Sequence, residues 1–214
     1  QTPNSTTADD FFTAANFLAY GNQLFVVRVV NTTDAKNAIT AGNSEITLIK
    51  SEDDYEDNYS SGITGVGDFV AKFPGALGNS LKFSVCPSSA AFSSTLSGTY
   101  DVTNGSTTVT FSANQSGQIV VGDLLVLGAD RQVRKVAALA NNTTVTLENA
   151  FDGTTVTANT NLERRWEYFN FFDRAPGTSP YANTQGGTTD ELHVAVIDED
   201  GQWTGVKDQV LETF

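Results

Sequence analysis

The run TADDFFTAANFLAYGNQLFVVRVV, residues 7–30, constrains the fold more than any other part of the chain. It reads as a capped helix, a tight stop and a buried strand in succession. Thr7 is suited to an N-cap because its hydroxyl can accept an orphan backbone N–H, and Asp9 and Asp10 suit the positive end of a helix. Phe11, Ala14, Ala15 and Leu18 fall on one face at helical spacing, which predicts that this face is buried. Gly21 and Asn22 tolerate the left-handed conformation that ends a helix. Leu24 to Val30 then offers six apolar residues interrupted only by Arg28, the pattern of a strand covered on both faces.

The 214 residues suffice for one sizeable core or two small ones. An apolar content of 39% with 10% aromatics places the chain among globular proteins and excludes a disordered one. No apolar run approaches membrane-spanning length, and the start of the sequence carries no basic-plus-apolar leader. Methionine is absent, which predicts an internal part of a longer protein. The net charge of −13 disfavours binding to phosphate backbones or acidic membrane surfaces, although a salt-adapted source would account for it equally.

Cys86 and His193 are single representatives of their residue types, so neither an internal disulfide nor a Cys/His zinc site can be assembled. A Cys86–His193 nucleophilic pair is formally open. Each alternates with apolar residues, however, which favours two buried strand positions. The acidic run Glu52–Asp57 lacks the alternation and the glycine of a calcium loop and reads as a solvated acidic loop. Asp198-Glu199-Asp200-Gly201 resembles such a loop better, but no glutamate follows at the required distance, so a β-turn is expected.

Gly62–Gly67 lacks the Lys-Ser/Thr of a phosphate loop, and Pro74–Asn79 fails likewise; both read as turns. Sequons at Asn4, Asn31, Asn104 and Asn142 are those expected by chance in so Asn- and Thr-rich a chain. The aromatic cluster Trp166–Asp173, preceded by Arg164 and Arg165, could stack bases or sugars. Its alternation and acidic surroundings instead predict a packed core strand, part of which could face a neighbouring subunit. No catalytic triad, HExxH or dinucleotide fingerprint occurs, so no catalytic, cofactor-binding or metal residue is predicted, no cofactor is expected and the chain does not read as an enzyme.

Three regions can be drawn. Residues 1–94 and 162–214 are expected to pack as one discontinuous helix-and-strand domain. Residues 95–161, which hold five acids against three bases, are rich in Thr, Val, Asn and Gly and read as an inserted, protruding β module. Its strands are predicted at Thr107–Phe111, across Ile119–Leu127 with a break at Gly122-Asp123, and at Val133–Leu139 and Thr143–Leu147, with Asn141-Asn142 as a hairpin turn. The expected fold class is thus mixed α+β or α/β, with an inserted small all-β barrel or sandwich that protrudes. A hairpin is expected over Thr189–Gly205, with Leu192–Ile197 going out and Gln202–Thr204 returning.

Three blocks carry a more specific likeness: FF-x-A-x-NFL-x-YGN-x-L-x-VVRVV at 11–30, KFPGALGNSLKFSV at 72–85, and DELHVAVIDEDG at 190–201 running on to VLETF at 210–214. In kind and order they resemble the contractile tail sheath proteins of myovirus-type bacteriophages, over about half of the chain. The resemblance implies a virion structural subunit, assembled in the host cytoplasm, that polymerises with copies of itself around the tail tube. In this family the sheath contracts when the baseplate is triggered and drives the tube through the host envelope for genome ejection. Neighbouring subunits there are joined by terminal arms that add strands to each other's sheets. The N-terminal arm and the tube-facing C-terminal domain have no counterpart in this sequence, so tube and baseplate contacts are expected through parts outside it. Neither nucleic acid nor membrane insertion is expected. The alternative is an adhesin or capsid-decoration β-domain binding host surface glycans around Trp166, Tyr168 or Trp203.

Overall fold

The helix predicted at the start forms as α1, Ala8–Leu18, in a computed structural model that describes residues 4–27, 29, 31, 33–40 and 47–214. Its ends differ from expectation. The Thr7 hydroxyl makes no capping bond to the helix; the Asn4 side chain instead accepts from the N–H groups of Thr6 and Thr7, at 2.9 and 3.0 Å. Asn4 thereby closes a turn that places Thr7 already in helical conformation. At the other end, the N–H groups of Tyr20 and Gly21 both reach Phe17 O, so no left-handed residue is needed at Gly21.

The chain divides into two compact units, residues 1–78 and 79–214. In the first, the antiparallel pair β1 (Asn37–Ile39) and β2 (Val70–Pro74) is held by Asn37. Its buried side chain donates to Ala71 O at 2.7 Å and accepts from Ile49 N at 2.8 Å. The acidic run expected to be a loop is a helix, α2 (Glu52–Asn58). Ser51 caps it, accepting from Asp54 N at 3.1 Å, and the acids of its first turn meet the positive helix end. Among the described residues of this unit, Ile49 and Val66 are the buried apolar ones.

Sheet predominates over helix in the molecule, and it is divided among several sheets. The second unit holds the larger ones. A 3₁₀ turn, Ala76–Ser80, leads into β3 (Leu81–Cys86). The short helix α3 (Ser89–Phe92) follows, capped by Ser88. Next come β4 (Ser93–Thr95), β5 (Thr99–Val102), β6 (Thr108–Phe111), β7 (Leu124–Leu127), β8 (Gln132–Asn141), β9 (Thr144–Leu147), β10 (Val156–Thr160) and β11 (Glu163–Arg165). These eight form one sheet in the order β10-β5-β6-β9-β8-β7-β11-β4. The long β8 pairs with β7 through its first half and with β9 through its second. Alternate residues such as Val109, Leu125, Val136 and Val145 are buried in one cluster with Ile119, Phe151 and Leu162.

The strands predicted at 107–111, 133–139 and 143–147 form within a residue or two at most ends, as does the turn at Asn142-Thr143. Ile119–Val121 does not join a strand. The Asp123 carboxylate accepts from Val120 N at 2.8 Å and folds that segment into a turn.

A third sheet, β13-β12-β3, joins β12 (His193–Asp198) and β13 (Gln209–Thr213) to β3. The return strand is therefore β13 and not Gln202–Thr204. The buried Asp198 carboxylate accepts from Trp203 N (2.9 Å), Thr204 N (2.8 Å), the Thr204 hydroxyl (3.0 Å) and the Ser80 hydroxyl (2.6 Å), which curls 202–204 into the connection. Burial alone would raise the Asp198 pKa, but these four donors outweigh it and hold the carboxyl at about 2. Its folded value lies below its ordinary one, so its stabilisation is present above about pH 4 and is lost as pH falls to about 2. Asp198→Asn is expected to remove that portion of the acid transition, read as midpoint denaturant concentration against pH. An unchanged profile between pH 4 and 2 would contradict the assignment.

Trp166 and Tyr168 are buried as expected, but not in a strand. β11 stops at Arg165, and a 3₁₀ turn over Phe169–Phe171 follows. Their rings pack edge-on at 5.4 Å, and Trp166 Nε1 donates to Ser84 Oγ at 2.9 Å.

Candidate interaction surface

Leu24–Val30 is the largest departure from expectation. Arg28 and Val30 lie outside the described residues; Leu24–Val27 form no strand and make no backbone hydrogen bond to another described residue. Phe25, Val27 and Val29 are 91%, 86% and 93% exposed. The α1 face predicted to be buried is uncovered too, with Phe11 and Leu18 each about half exposed and Phe12 and Phe17 beside them. Among the described residues, nothing in the first unit covers this surface.

An apolar surface of this extent marks an interaction site in a folded protein, because each exposed Å² forgoes roughly 25 cal/mol. Among the described residues, the N–H and C=O groups of Leu24–Val27 have no backbone partner, a requirement for strand addition to another sheet. The helix and the Val-rich segment thus supply two apolar surfaces side by side in sequence: an aromatic face and exposed valines whose described backbone groups have no partner among the described residues.

The residues considered for chemistry are occupied otherwise. Cys86 and His193 are cross-strand partners in the β3–β12 register. The buried Cys86 thiol faces Ser88 O, and burial pushes its pKa up, which suppresses the thiolate. His193 stacks on Phe172 at 4.2 Å, and its Nε2 bonds Arg174 O at 2.8 Å. Gly62, Gly65 and Gly67 have positive φ in a turn with no strand before it. Among the described residues, no group of three or more His, Cys, Asp or Glu could hold a metal ion. None of the described helices is long and apolar enough to cross a membrane.

The charged centre that sequence reasoning missed lies in the second unit. Arg164, on β11, makes two bonds of 2.7 Å to the Asp123 carboxylate and a further one to Ala91 O. Asp123 is 1% exposed. Burial pushes its carboxyl up, and the Arg164 guanidinium and the Val120 N–H oppose that. Beside it, Glu167 takes Lys135 at 2.7 Å and Lys82 at 3.3 Å. A cleft of about 210 Å³ runs along this cluster, and each of its charged side chains is already paired. Burial, then the Glu167 charge, raises the Tyr168 phenol well above its ordinary value. The one sequence signal for this centre was an arginine in the middle of an alternating β segment.

No protein-family model matches the chain, and no solved structure matches it. Two curated proteins do. The tail sheath protein of Salmonella phage ViI is 42% identical over 87 residues, 40% of this chain and 13% of that protein. The tail sheath protein of Vibrio phage KVP40 is 43% identical over 76 residues, 33% of this chain and 11% of that protein. The matched stretches are thus a small part of the length of these relatives. They bear out the resemblance to tail sheath proteins of bacteriophages: over about a third of its length the chain is similar to part of such a protein.

Proposed function

We propose that this chain is part of a contractile sheath subunit, which polymerises with identical copies around the tail tube and contracts to drive the tube through the host envelope. The observation that carries this reading is the exposed apolar surface of α1, Leu24–Val27 and Val29, beside the two sheath relatives. A surface so apolar is suited to burial in a permanent lattice, and the backbone of Leu24–Val27, without a partner among the described residues, suits strand addition by a neighbouring subunit. Contraction is then a bistable repacking of such interfaces, with energy stored in the extended lattice and no nucleotide consumed. The role is structural and not enzymatic. The subunit resides in the virion tail after assembly in the host cytoplasm, contacts tube and baseplate through parts outside this sequence, and neither binds nucleic acid nor inserts into membrane.

The same reading holds residues 95–161 to be an insertion in a discontinuous domain made of 1–94 and 162–214, protruding from the sheath as a small barrel or sandwich. Support comes from β3 and β12, which pair across that interval. The glycan-binding adhesin reading has less to rest on, because Trp166 and Tyr168 are buried and form no exposed aromatic groove.

Negative-stain microscopy of the whole gene product tests the reading. Hollow striated tubes are expected; dispersed particles at every salt and protein concentration would overturn it.

A further inference from the structure

A groove of about 330 Å³ lies within the first unit, lined by residues of α2 and β2. Ile49, Tyr55, Val70 and Ala71 supply apolar lining, and Glu52, Asp68 and Lys72 bring charge to it. Those charges do not cancel. Lys72 is taken by Glu52 at 2.9 Å, whereas Asp68 is exposed and has no ion-pair or hydrogen-bond partner among the described residues. From 51 to 72 the sequence holds six acids and one base. The groove therefore combines apolar walls with a surplus of negative charge.

The exposed apolar segment of the same chain has the complementary character. Residues 11–33 carry a single charge in their sequence, the positive Arg28. Leu24 and Val26 are exposed and do not line the groove of their own unit. In a strand, Leu24, Val26 and Arg28 share one face, which presents two aliphatic side chains followed by a positive charge. Every copy carries both the groove and the segment, on different surfaces. Pairing one with the other is heterologous, so it propagates from copy to copy into a ring or a helical filament and does not stop at a twofold dimer.

We propose that the α2–β2 groove receives the 24–28 segment of a second copy of this chain, with Leu24 and Val26 against the apolar lining and Arg28 on Asp68. The proposal rests on the sheath reading and gives the exposed segment its seat on a neighbouring subunit. Phe25, Val27 and Val29 then lie on the other face of the strand. The contact is small beside the roughly 1,200–2,000 Å² of a stable pairwise interface, so it acts where a lattice holds many copies together.

Charge reversal in the whole gene product tests the seat, read as the lowest protein concentration at which tubes pellet at low ionic strength. Arg28→Asp and Asp68→Arg are each expected to raise that concentration by about tenfold or more, since like charges then face each other across the contact. Combining the two restores an opposite pair and is expected to bring the concentration back to within about threefold of the unsubstituted protein. The circular dichroism of the 214-residue chain carrying Asp68→Arg should match that of its parent, because Asp68 is exposed. Tubes at the ordinary concentration from either single variant would overturn the seat and leave the sheath reading intact. A double variant no better than the singles would do the same and give the groove to a different occupant. Absence of tubes from the unsubstituted protein would defeat the sheath reading and this proposal with it.

Discussion

Arg164→Met is expected to lower the stability of the second unit by about 3–5 kcal/mol, because it leaves the Asp123 carboxylate buried and uncompensated. The cost arises from geometry more than from attraction between the two charges. Asp123 is almost fully enclosed, and the guanidinium supplies two of the hydrogen bonds that replace its lost hydration. The guanidinium also satisfies Ala91 O, so the substitution loosens the end of α3 as well. In a unit of this size the thermal midpoint should fall by roughly 10–17 °C. Asp123→Leu combined with Arg164→Met should recover most of the loss, since matched apolar replacement of a buried pair is often neutral. Chemical denaturation of the three variants reads this directly. A loss below about 1 kcal/mol in Arg164→Met would mean that the pair behaves like an exposed one.

Val27→Asp should have the opposite profile: little effect on folding and complete loss of assembly. Val27 is almost fully exposed, so the chain's own stability should change by no more than about 0.5 kcal/mol. In the whole gene product, a charge placed in an apolar interface must be desolvated in every copy, and the penalty repeats along the lattice. Tube formation is expected to vanish, as read by pelleting and microscopy, and Phe25→Asp should act likewise. A conservative Val27→Ile should still assemble. Tubes of normal length and yield from Val27→Asp would show that the exposed segment plays no part in the lattice.

The β elements were legible wherever a strand has one buried and one wet face. Thr108–Phe111 and Thr144–Leu147 alternate, and that alternation is the sheet's own geometry written in residues. Leu24–Val30 shows the limit of the same logic. A continuous apolar run states that both faces want cover, but it does not state whether the cover comes from the same chain. The α1 stripe carried the same ambiguity. Local side-chain chemistry caused the other differences. Asn4 displaced Thr7 as the bonding partner at the start of α1, Ser51 turned an acidic run into a capped helix, and Asp198 captured the amides of 203 and 204 and moved the return strand to 209–213. Each depends on one oxygen finding one N–H, which periodicity does not record. The pairing of Asp123 with Arg164 spans 41 residues and leaves no local trace.

A place in the sheath is tested by immunogold labelling of intact virions with antibodies raised against this 214-residue chain. Gold is expected along the whole length of the tail, on extended and contracted particles alike. Label confined to capsids, tail fibres or the baseplate would contradict it.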